Sequence, residues 1–452
     1  MPPKNVVLLV DHRDRDLKGC ALIAHHLEKM GLRAHLEPIN AWQAVLGAHR
    51  PDFILFNHTN REHLADYTHH LAKMGVMTGV LLNEGLLYKD RVRAYNSQRL
   101  PNLHLDYYFC WNDLHRDCLL TNGYEGKTEI ITVGVPRFDF YFEPWKHVFK
   151  TAILPAKTRP RILLCTNFGF AEWRDRPRKT VDRFFSQWSH MPAYADYWNA
   201  IEVNHRSRLR FLDFLKAILQ SGKFDVVLKT HPRETRRVYE EWIAVLPPNL
   251  QKEITYVPSD SNITPLILGC DLEISCEKCT TAMESWIARK PTIELVFEKH
   301  PLFHDPAFSQ LNASCDSPEN IVGEIEKQLA QPTQPLLRQG RDLHLAKWCH
   351  SPDGNVSATV AKAIALGLER RKEPKKIRLD FRDYRRALKL KAYQSIGQPY
   401  TFFPLHQINQ RIFGGKKFSK KMMLHEKSVT PKDAKDALMS IEACRSDQSV
   451  AS

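Results

Sequence analysis

Long hydrophobic runs are missing from this sequence of 452 residues. No stretch approaches the roughly 20 apolar residues that are needed to span a bilayer, which excludes a membrane-spanning helix. Near the start, a run of only five apolar residues is followed by charges. This pattern predicts a first strand and not a signal peptide.

Cysteine patterns that are typical of disulfide pairing or of metal binding are also scarce. The ten cysteines show no regular pairing, which suits a reduced cytosol better than a disulfide scaffold. Cys276 and Cys279 form a C-x-x-C, but no second pair lies at zinc spacing and no redox motif surrounds it. We therefore expect a soluble, cytoplasmic protein that uses neither a metal nor a resident cofactor.

The excess of positive charge is concentrated at one end of the chain. The net charge is +14, and residues 369–452 contain 20 Lys and Arg against 9 Asp and Glu. Within residues 370–421, 16 Lys and Arg are interleaved with aromatic and aliphatic residues and only 3 acids. The first interpretation is peripheral binding to an anionic inner-membrane surface. A segment folded onto its own domains is the second interpretation, and a nucleic-acid backbone is the least favoured.

Strands and helices alternate along most of the chain. One series runs from NVVLLVD at 5–11 to KTEIITVG at 127–134, and another begins with RILLCTNFG at 161–169. This alternation predicts parallel, doubly wound sheets, and the chain is too long for one core. We predict an α/β protein with two Rossmann-like domains, residues 1–150 and 151–368, that face a cleft. A basic tail at 369–452 follows, and from about Ser428 we expect disorder or at most weak helix.

The segment VVLKTHPRE at 226–234 places phosphate-binding groups at the end of a predicted strand. Ligands of open α/β sheets gather at the carboxyl ends of strands, where Lys229 and His231 supply charge-assisted donors. Pro232 restricts the backbone of His231 to the extended region. A basic strand end that faces only water is the alternative.

A second anion-binding feature follows about 40 residues later. Thr280 and Thr281 fall at the predicted start of a helix, where backbone N–H groups and the helix dipole favour an anion. Glu284 lies one turn further on the same face. Ordinary capping by threonine is the alternative interpretation. Asn167 and Gly169 follow the first strand of the second domain, and we expect them to line the same cleft.

Five segments together resemble a known family in order and spacing. They are LLNEGLLY at 81–88, VGVPRFDFY at 133–141, ILLCTNFG at 162–169, VLKTHPRE at 227–234 and SPDGNVSATVAKAI at 351–364. On these segments residues 5–367 resemble the bacterial surface-carbohydrate (surface polysaccharide) biosynthesis proteins. That family is similar in turn to GT-B glycosyltransferases that use CMP-sugars, namely the β-Kdo transferases and the bacterial sialyltransferases.

The resemblance implies a reaction and a set of residues for it. The expected reaction transfers a Kdo- or sialic-acid-like sugar from a CMP-activated donor to a glycan or lipid-linked acceptor. His231 and Pro232 match the HP motif, so Lys229 and His231 are expected to contact the CMP phosphate. Thr280 and Thr281 correspond to the Ser/Thr motif that contacts the same phosphate.

The acidic motif of those enzymes is altered here. Asn83, Glu84 and Gly85 occupy it, and Asn83 stands where an acid is expected. Glu84 remains the candidate catalytic carboxylate, either as a nucleophile or as a base for the acceptor hydroxyl. Arg137 is the candidate partner for the donor sugar's carboxylate, with Arg91 and Arg93 behind it. Pairing of Arg137 with Asp139 is the structural alternative.

Two other functions stay open at this stage. One is another nucleotide-dependent GT-B enzyme, such as a CDP-alditol phosphotransferase or a UDP-sugar epimerase. The other is a noncatalytic membrane- or polyanion-binding protein with a GT-B-like body, which the departure at Asn83 keeps in view.

Overall fold

The computed structural model describes most of the chain. The described residues are 2–83, 86, 95–149, 154–259, 261–331, 333–371, 375–403, 408, 411–412 and 419–449. They divide into two compact units. Unit 1 comprises Met1–Phe149 and His344–Ser452, and unit 2 comprises Lys150–Leu343. The structure thus moves the predicted boundary at residue 368 to Leu343.

Twelve strands of the described residues form two parallel sheets of six. Those of unit 1 are β1 Asn5–Val10, β2 Arg33–Pro38, β3 Phe53–Phe56, β4 Met77–Leu81, β5 Tyr107–Cys110 and β6 Glu129–Thr132. Those of unit 2 are β7 Arg161–Cys165, β8 Asp225–Lys229, β9 Ile254–Val257, β10 Leu272–Cys276, β11 Thr292–Leu295 and β12 Ala313–Cys315. Central strands such as β3 and β7 are buried along their length, which explains their apolar runs FILF and ILLC.

The strand orders identify two Rossmann-like sheets. The order in unit 2 is β12-β11-β10-β7-β8-β9, which is the dinucleotide-binding order, and the order in unit 1 is β2-β1-β3-β4-β5-β6, as in flavodoxin-like sheets. The predicted α/β fold with two Rossmann-like, doubly wound domains is confirmed. The order reverses between β7 and β10 in unit 2 and between β1 and β3 in unit 1. Ligands bind at such switch points, beyond the carboxyl ends of the strands.

Helices connect the strands. In unit 1 they are Arg13–Lys29, Ala44–His49, Glu62–Lys73, Asp113–Leu119, Val356–Arg370, Phe381–Ser395, Ser419–Glu426 and Pro431–Ser449. In unit 2 they are Arg178–Phe185, Tyr197–Ser221, Arg236–Ala244, Pro248–Gln251, Ile263–Gly269, Thr280–Ile287, Pro306–Ser309 and Ile321–Ala330, and Pro335–Cys349 crosses from unit 2 into unit 1. No helix among the described residues is long and apolar enough to cross a membrane.

Two of the five segments that resemble the surface-carbohydrate family meet inside unit 1. The buried Asp139 carboxylate accepts the backbone N–H groups of Val356 at 3.0 Å and Ser357 at 2.7 Å, so it caps the Val356–Arg370 helix. Gly354 has a φ of +84°, and a Cβ there would lie 2.7 Å from Phe142. These contacts explain why the chain returns to unit 1 before residue 368.

The predicted tail is folded onto unit 1. Leu390 of the Phe381–Ser395 helix belongs to the core cluster beside the first sheet. Val429, Ala437, Ile441 and Cys444 pack with Leu17 and its neighbours on the Arg13–Lys29 helix. The expectation of disorder from about Ser428 is therefore wrong for the described part, because Ala437, Ile441 and Cys444 recur at helical spacing and bury one face.

Candidate functional site

Three loops meet at the switch point of unit 2. They follow the adjacent strands β7, β8 and β10. Asn167 and Gly169 lie in the first loop, His231 follows Lys229 at the end of β8, and Thr280 and Thr281 begin the helix after the third loop. Parallel strands present their carboxyl ends at the same edge, so the sheet itself brings these segments together although up to 114 positions separate them along the chain.

The β8 loop fixes the ring of His231. Its Nδ1 accepts the backbone N–H of Arg233 at 3.1 Å, so in the neutral ring the proton lies on Nε2. The His231 backbone N–H is itself held by the Thr166 hydroxyl at 3.0 Å. Lys229 is 8% exposed, and its ammonium donates to the Ser259 carbonyl at 2.8 Å. The His231 ring is thus oriented so that Nε2 can donate a hydrogen bond. The Lys229 ammonium already has one acceptor, in the loop after β9.

Glu234 organises this edge, and the sequence analysis did not single it out. Its buried carboxylate accepts the Thr166 hydroxyl at 2.6 Å, the Phe168 N–H at 3.0 Å and the His231 N–H at 3.3 Å. The Tyr239 hydroxyl also donates to it. Burial raises its pKa, while these hydrogen bonds lower it. A Glu three residues after His231 was the available signal, since such a side chain can turn back onto the strand end.

The β7 loop lies against the β8 loop at Gly169. A Cβ at Gly169 would lie 3.3 Å from the Arg233 Cβ and 3.9 Å from His231 Nδ1. Asn167 reaches in the other direction, and its Nδ2 donates to the Glu277 carbonyl at 3.0 Å. The two residues predicted here therefore connect the loops on both sides of the switch point.

The β10 loop ends in a strained turn before the Thr280–Ile287 helix. Glu277 and Lys278 have φ values of +53° and +55°, in the left-handed region that costs about 1–2 kcal/mol for a residue with a Cβ. Asn204 donates to the Glu277 carboxylate, and Lys278 pairs with Asp305. These contacts hold the turn in the conformation that starts the helix at Thr280.

The two threonines have different surroundings. Thr280 is half-buried at the first helical position, and the N-cap residue Cys279 makes no side-chain capping bond. The Thr281 hydroxyl instead donates to Glu273 Oε1 at 2.7 Å. The hydroxyl also contacts Cys279 Sγ at 3.1 Å, so it is committed within the protein and not to an anion at the helix start. Glu284 is 2% exposed within the helix.

Buried acid and thiol groups lie beneath this edge. Burial raises the pKa of Glu273 to about 8, while its hydrogen bond from Thr281 lowers it. Burial likewise raises the pKa of Cys279 to about 11 and that of Cys276 well above its usual range. Burial therefore favours the protonated form of both thiols at neutral pH.

The switch point of unit 1 has a different character. Asp11, just after β1, accepts Arg15 at 3.2 Å and the Asn83 amide at 3.5 Å. His58, after β3, is half-buried, and its Nδ1 has no hydrogen-bond partner among the described residues. Burial lowers the pKa of His58, while the Asp11 charge raises it. Glu84 and Gly85, predicted beside Asn83, lie outside the described residues, as do Arg91 and Arg93.

The far end of the chain completes this cluster. Lys427 pairs with Asp11 at 3.1 Å, and its backbone carbonyl accepts the Arg13 N–H at 2.9 Å. Lys427 was not predicted from the sequence, because nothing in its surroundings indicates a partner more than 400 residues away. We call Asp11, Arg15, Asn83 and Lys427 the Asp11 cluster.

Arg137 lies elsewhere in unit 1. Its guanidinium is 5.1 Å from the centre of the Trp111 ring and 4.9 Å from that of Phe138. The alternative of an Arg137–Asp139 pair is not what the structure has, because Asp139 caps the Val356–Arg370 helix. Burial raises the pKa of Asp139 to about 6, while its backbone hydrogen bonds lower it.

No group of three or more His, Cys, Asp or Glu side chains within the described part of the chain is placed to hold a metal ion. No protein-family model matches the sequence, and no curated protein matches it.

Solved structures resemble the chain weakly. The UDP-GlcNAc 2-epimerase of Methanocaldococcus jannaschii is 14% identical, with a TM-score of 0.49 over 80% of this chain and 100% of that one. The UDP-GlcNAc 2-epimerase of Neisseria meningitidis is 12% identical, with a TM-score of 0.46 over 80% of this chain and 99% of that one. A Rickettsia africae glycosyltransferase is 12% identical, with a TM-score of 0.43 over 82% of this chain and 100% of that one.

Proposed function

We propose that this protein is an enzyme that binds a nucleotide-activated sugar at the carboxyl edge of β7, β8 and β10 and transfers the sugar to an acceptor. The principal support is the convergence at a Rossmann switch point of a fixed His231 donor and a helix start at Thr280 without a side-chain cap. Both features are suited to binding anionic oxygen, and hydrogen bonds within the protein hold their loops in place.

The chemistry of transfer matches such a site. When the bond between the anomeric carbon and the phosphate oxygen breaks, the electron pair stays on the phosphate, which gains negative charge. The Nε2–H of His231 and the N–H groups at the start of the Thr280–Ile287 helix would stabilise that charge. Glu234 acts through His231 as a positioning residue, because it fixes the backbone from which the ring projects.

The finer assignment follows the resemblance to CMP-sugar enzymes. The donor is then CMP-Kdo or a CMP-sialic-acid-like sugar, and the acceptor is a surface glycan or a lipid-linked glycan. Glu84 would either accept the proton of the acceptor hydroxyl or attack the anomeric carbon. Arg137, held over Trp111, would pair with the carboxylate of the donor sugar.

A second candidate is epimerisation of a nucleotide sugar, and the Asp11 cluster favours it. Epimerisation needs acid and base groups that act on the sugar ring itself. Asp11 and Asp16 both pair with Arg15, so two carboxylates lie just after β1 at the switch point of unit 1. In an epimerase, Asp11 would take the catalytic role that Glu84 has in the proposed transferase.

Thermal unfolding with CMP, CDP, UDP and GDP tests the proposal. We expect CMP to stabilise the protein by about 2.7 kcal/mol at a concentration 100 times its dissociation constant. His231→Ala should weaken CMP binding by about 10- to 100-fold, because it removes one hydrogen bond to a charged group. The matched control is His190→Ala, since His190 is exposed on unit 2.

The outcomes separate the candidates. A preference for UDP, with activity lost in Asp11→Asn and kept in Glu84→Gln, would support epimerisation. Loss of sugar transfer in Glu84→Gln with CMP binding intact would support the transferase. No stabilisation by any nucleotide would contradict both and favour a noncatalytic protein.

A further inference from the structure

One helix of unit 1 has apolar side chains on both of its faces. The Phe381–Ser395 helix buries Ala387 and Leu390 against its own domain. On its outer face Phe381 is 80% exposed, Tyr384 55% and Leu388 70%. These three residues recur at positions i, i+3 and i+7, so they form one stripe along the helix.

Positive charge flanks the apolar stripe. The helix contains five Lys and Arg, and Arg382, Arg385, Lys389 and Lys391 are exposed. Its acid, Asp383, is directed to the start of the helix, where it forms a capping box with Asp380. The outer face is therefore apolar along its centre and cationic on its sides.

The helix is firmly seated, so its outer face is a fixed surface. A Cβ at Gly47 would lie 3.0 Å from the Ala387 Cβ, which shows how closely the helix approaches the Ala44–His49 helix. Gln394 donates to Glu37 at 2.8 Å, and Lys375, just before the helix, pairs with Asp52 at 2.8 Å. The segment is therefore folded onto its own domain, and its outer face is still exposed and basic.

We propose that the outer face of the Phe381–Ser395 helix binds an anionic lipid bilayer. A helix that lies flat on the surface would insert Phe381, Tyr384 and Leu388 between headgroups, and the flanking arginines and lysines would contact lipid phosphates. Charge complementarity selects this occupant. A symmetric second copy would bring the same cations face to face, and the backbone of a nucleic acid would leave the apolar stripe in water. The inference does not depend on the reaction proposed for unit 2.

Vesicle flotation with the full-length protein tests this surface. The vesicles contain phosphatidylcholine alone or phosphatidylcholine with phosphatidylglycerol. We expect binding only to the anionic vesicles, with an affinity that falls as salt rises. Arg382→Gln with Arg385→Gln should reduce the partition coefficient about 25-fold, since each cation near the surface contributes about a factor of five. Leu388→Gln with Tyr384→Gln should reduce it by about tenfold or more.

Matched controls come from unit 2. Leu336 and Leu343 are 82% and 66% exposed, so Leu336→Gln with Leu343→Gln removes comparable exposed apolar area elsewhere. Arg210→Gln with Arg237→Gln removes two other exposed charges. Circular dichroism and the melting temperature establish that each variant is folded.

The proposal is supported if only the two helix variants lose binding. It is overturned if the protein fails to float with anionic vesicles, if it floats equally well with neutral ones, or if the helix variants bind like the controls. Two further results would also overturn it. One is stronger, face-dependent binding to single-stranded DNA than to vesicles, and the other is a change of oligomeric state in Leu388→Gln.

Discussion

The two sheets of this protein end in switch points of different construction. In unit 2, loops after neighbouring strands are joined by hydrogen bonds around one buried carboxylate, Glu234. In unit 1, Asp11 is surrounded by the cations Arg15 and Lys427, and Lys427 comes from the far end of the chain. The site in unit 2 is therefore held by hydrogen bonds around Glu234, whereas the site in unit 1 depends on a segment from the far end of the chain.

The difference has a physical consequence. A buried, fully hydrogen-bonded carboxylate is costly to disturb, because its donors would lose their partners in a low-dielectric interior. A partly exposed ion pair is screened by water and salt and contributes little to stability. Unit 2 therefore has the more rigid site, and unit 1 has the site whose charge is easier to change.

The largest expected effect is the loss of the Glu234 carboxylate. Glu234→Ala should lower the free energy of unfolding by about 3–5 kcal/mol, since four donors lose their acceptor. Urea denaturation measures it, with Glu240→Ala as the control, because Glu240 is 52% exposed on the following helix. A loss below about 1 kcal/mol would contradict the central role of Glu234.

The next effect tests whether unit 1 needs the end of the chain. Ile441 is fully buried, so Ile441→Ala should destabilise the protein by about 2–4 kcal/mol through the cavity it leaves. Met439→Ala, at a position that is 53% exposed on the same helix, should change little. Equal stability of the two variants would show that the Pro431–Ser449 helix is not part of the folded unit.

A pH titration distinguishes the buried acids of the two units. Burial raises the pKa of Glu273 to about 8, so the folded protein keeps a proton that the unfolded chain releases near the ordinary value of 4.5. Its stabilising contribution is present at low pH and is lost as pH rises toward and through 8, which predicts a fall of about 2 kcal/mol in the free energy of unfolding between pH 6 and 8.

Glu273→Gln should flatten the stability curve in that interval, as measured by urea denaturation at each pH. Asp139→Asn in unit 1 should flatten it at lower pH instead, because the pKa of Asp139 is raised only to about 6. The same slope between pH 6 and 8 in wild type and Glu273→Gln would disprove the assignment.

The smallest expected effect concerns the Asp11–Lys427 pair. Both side chains are 26% exposed, so Lys427→Ala should cost only about 0.5–1 kcal/mol, and less at high salt. Thermal unfolding in low and high salt measures it, with Lys432→Ala as the matched exposed control. We expect nucleotide binding in unit 2 to be unchanged. A loss above about 2 kcal/mol in the free energy of unfolding would contradict the proposed difference between the two switch points.

Much of the unit 2 site was predictable because its signals are local. The strand that ends at Lys229, the restricted His231 and the helix that starts at Thr280 all lie where the sequence placed them. The role of Glu234 was not predicted, because the sequence around it is equally typical of an exposed loop. Thr281 shows the converse, since its hydroxyl is directed to Glu273 and not toward the expected phosphate position.

The sequence by itself determined the alternation of strands and helices, because apolar periodicity and chain length depend on neighbouring residues. It also determined that loops with Lys229, His231 and Thr280 end strands or begin helices. Only the tertiary structure decided that residues 344–452 complete unit 1, that Asp139 caps a helix and that Lys427 meets Asp11. Those contacts join positions more than 200 residues apart, and which distant charges meet depends on strand order and helix packing, which no local pattern specifies.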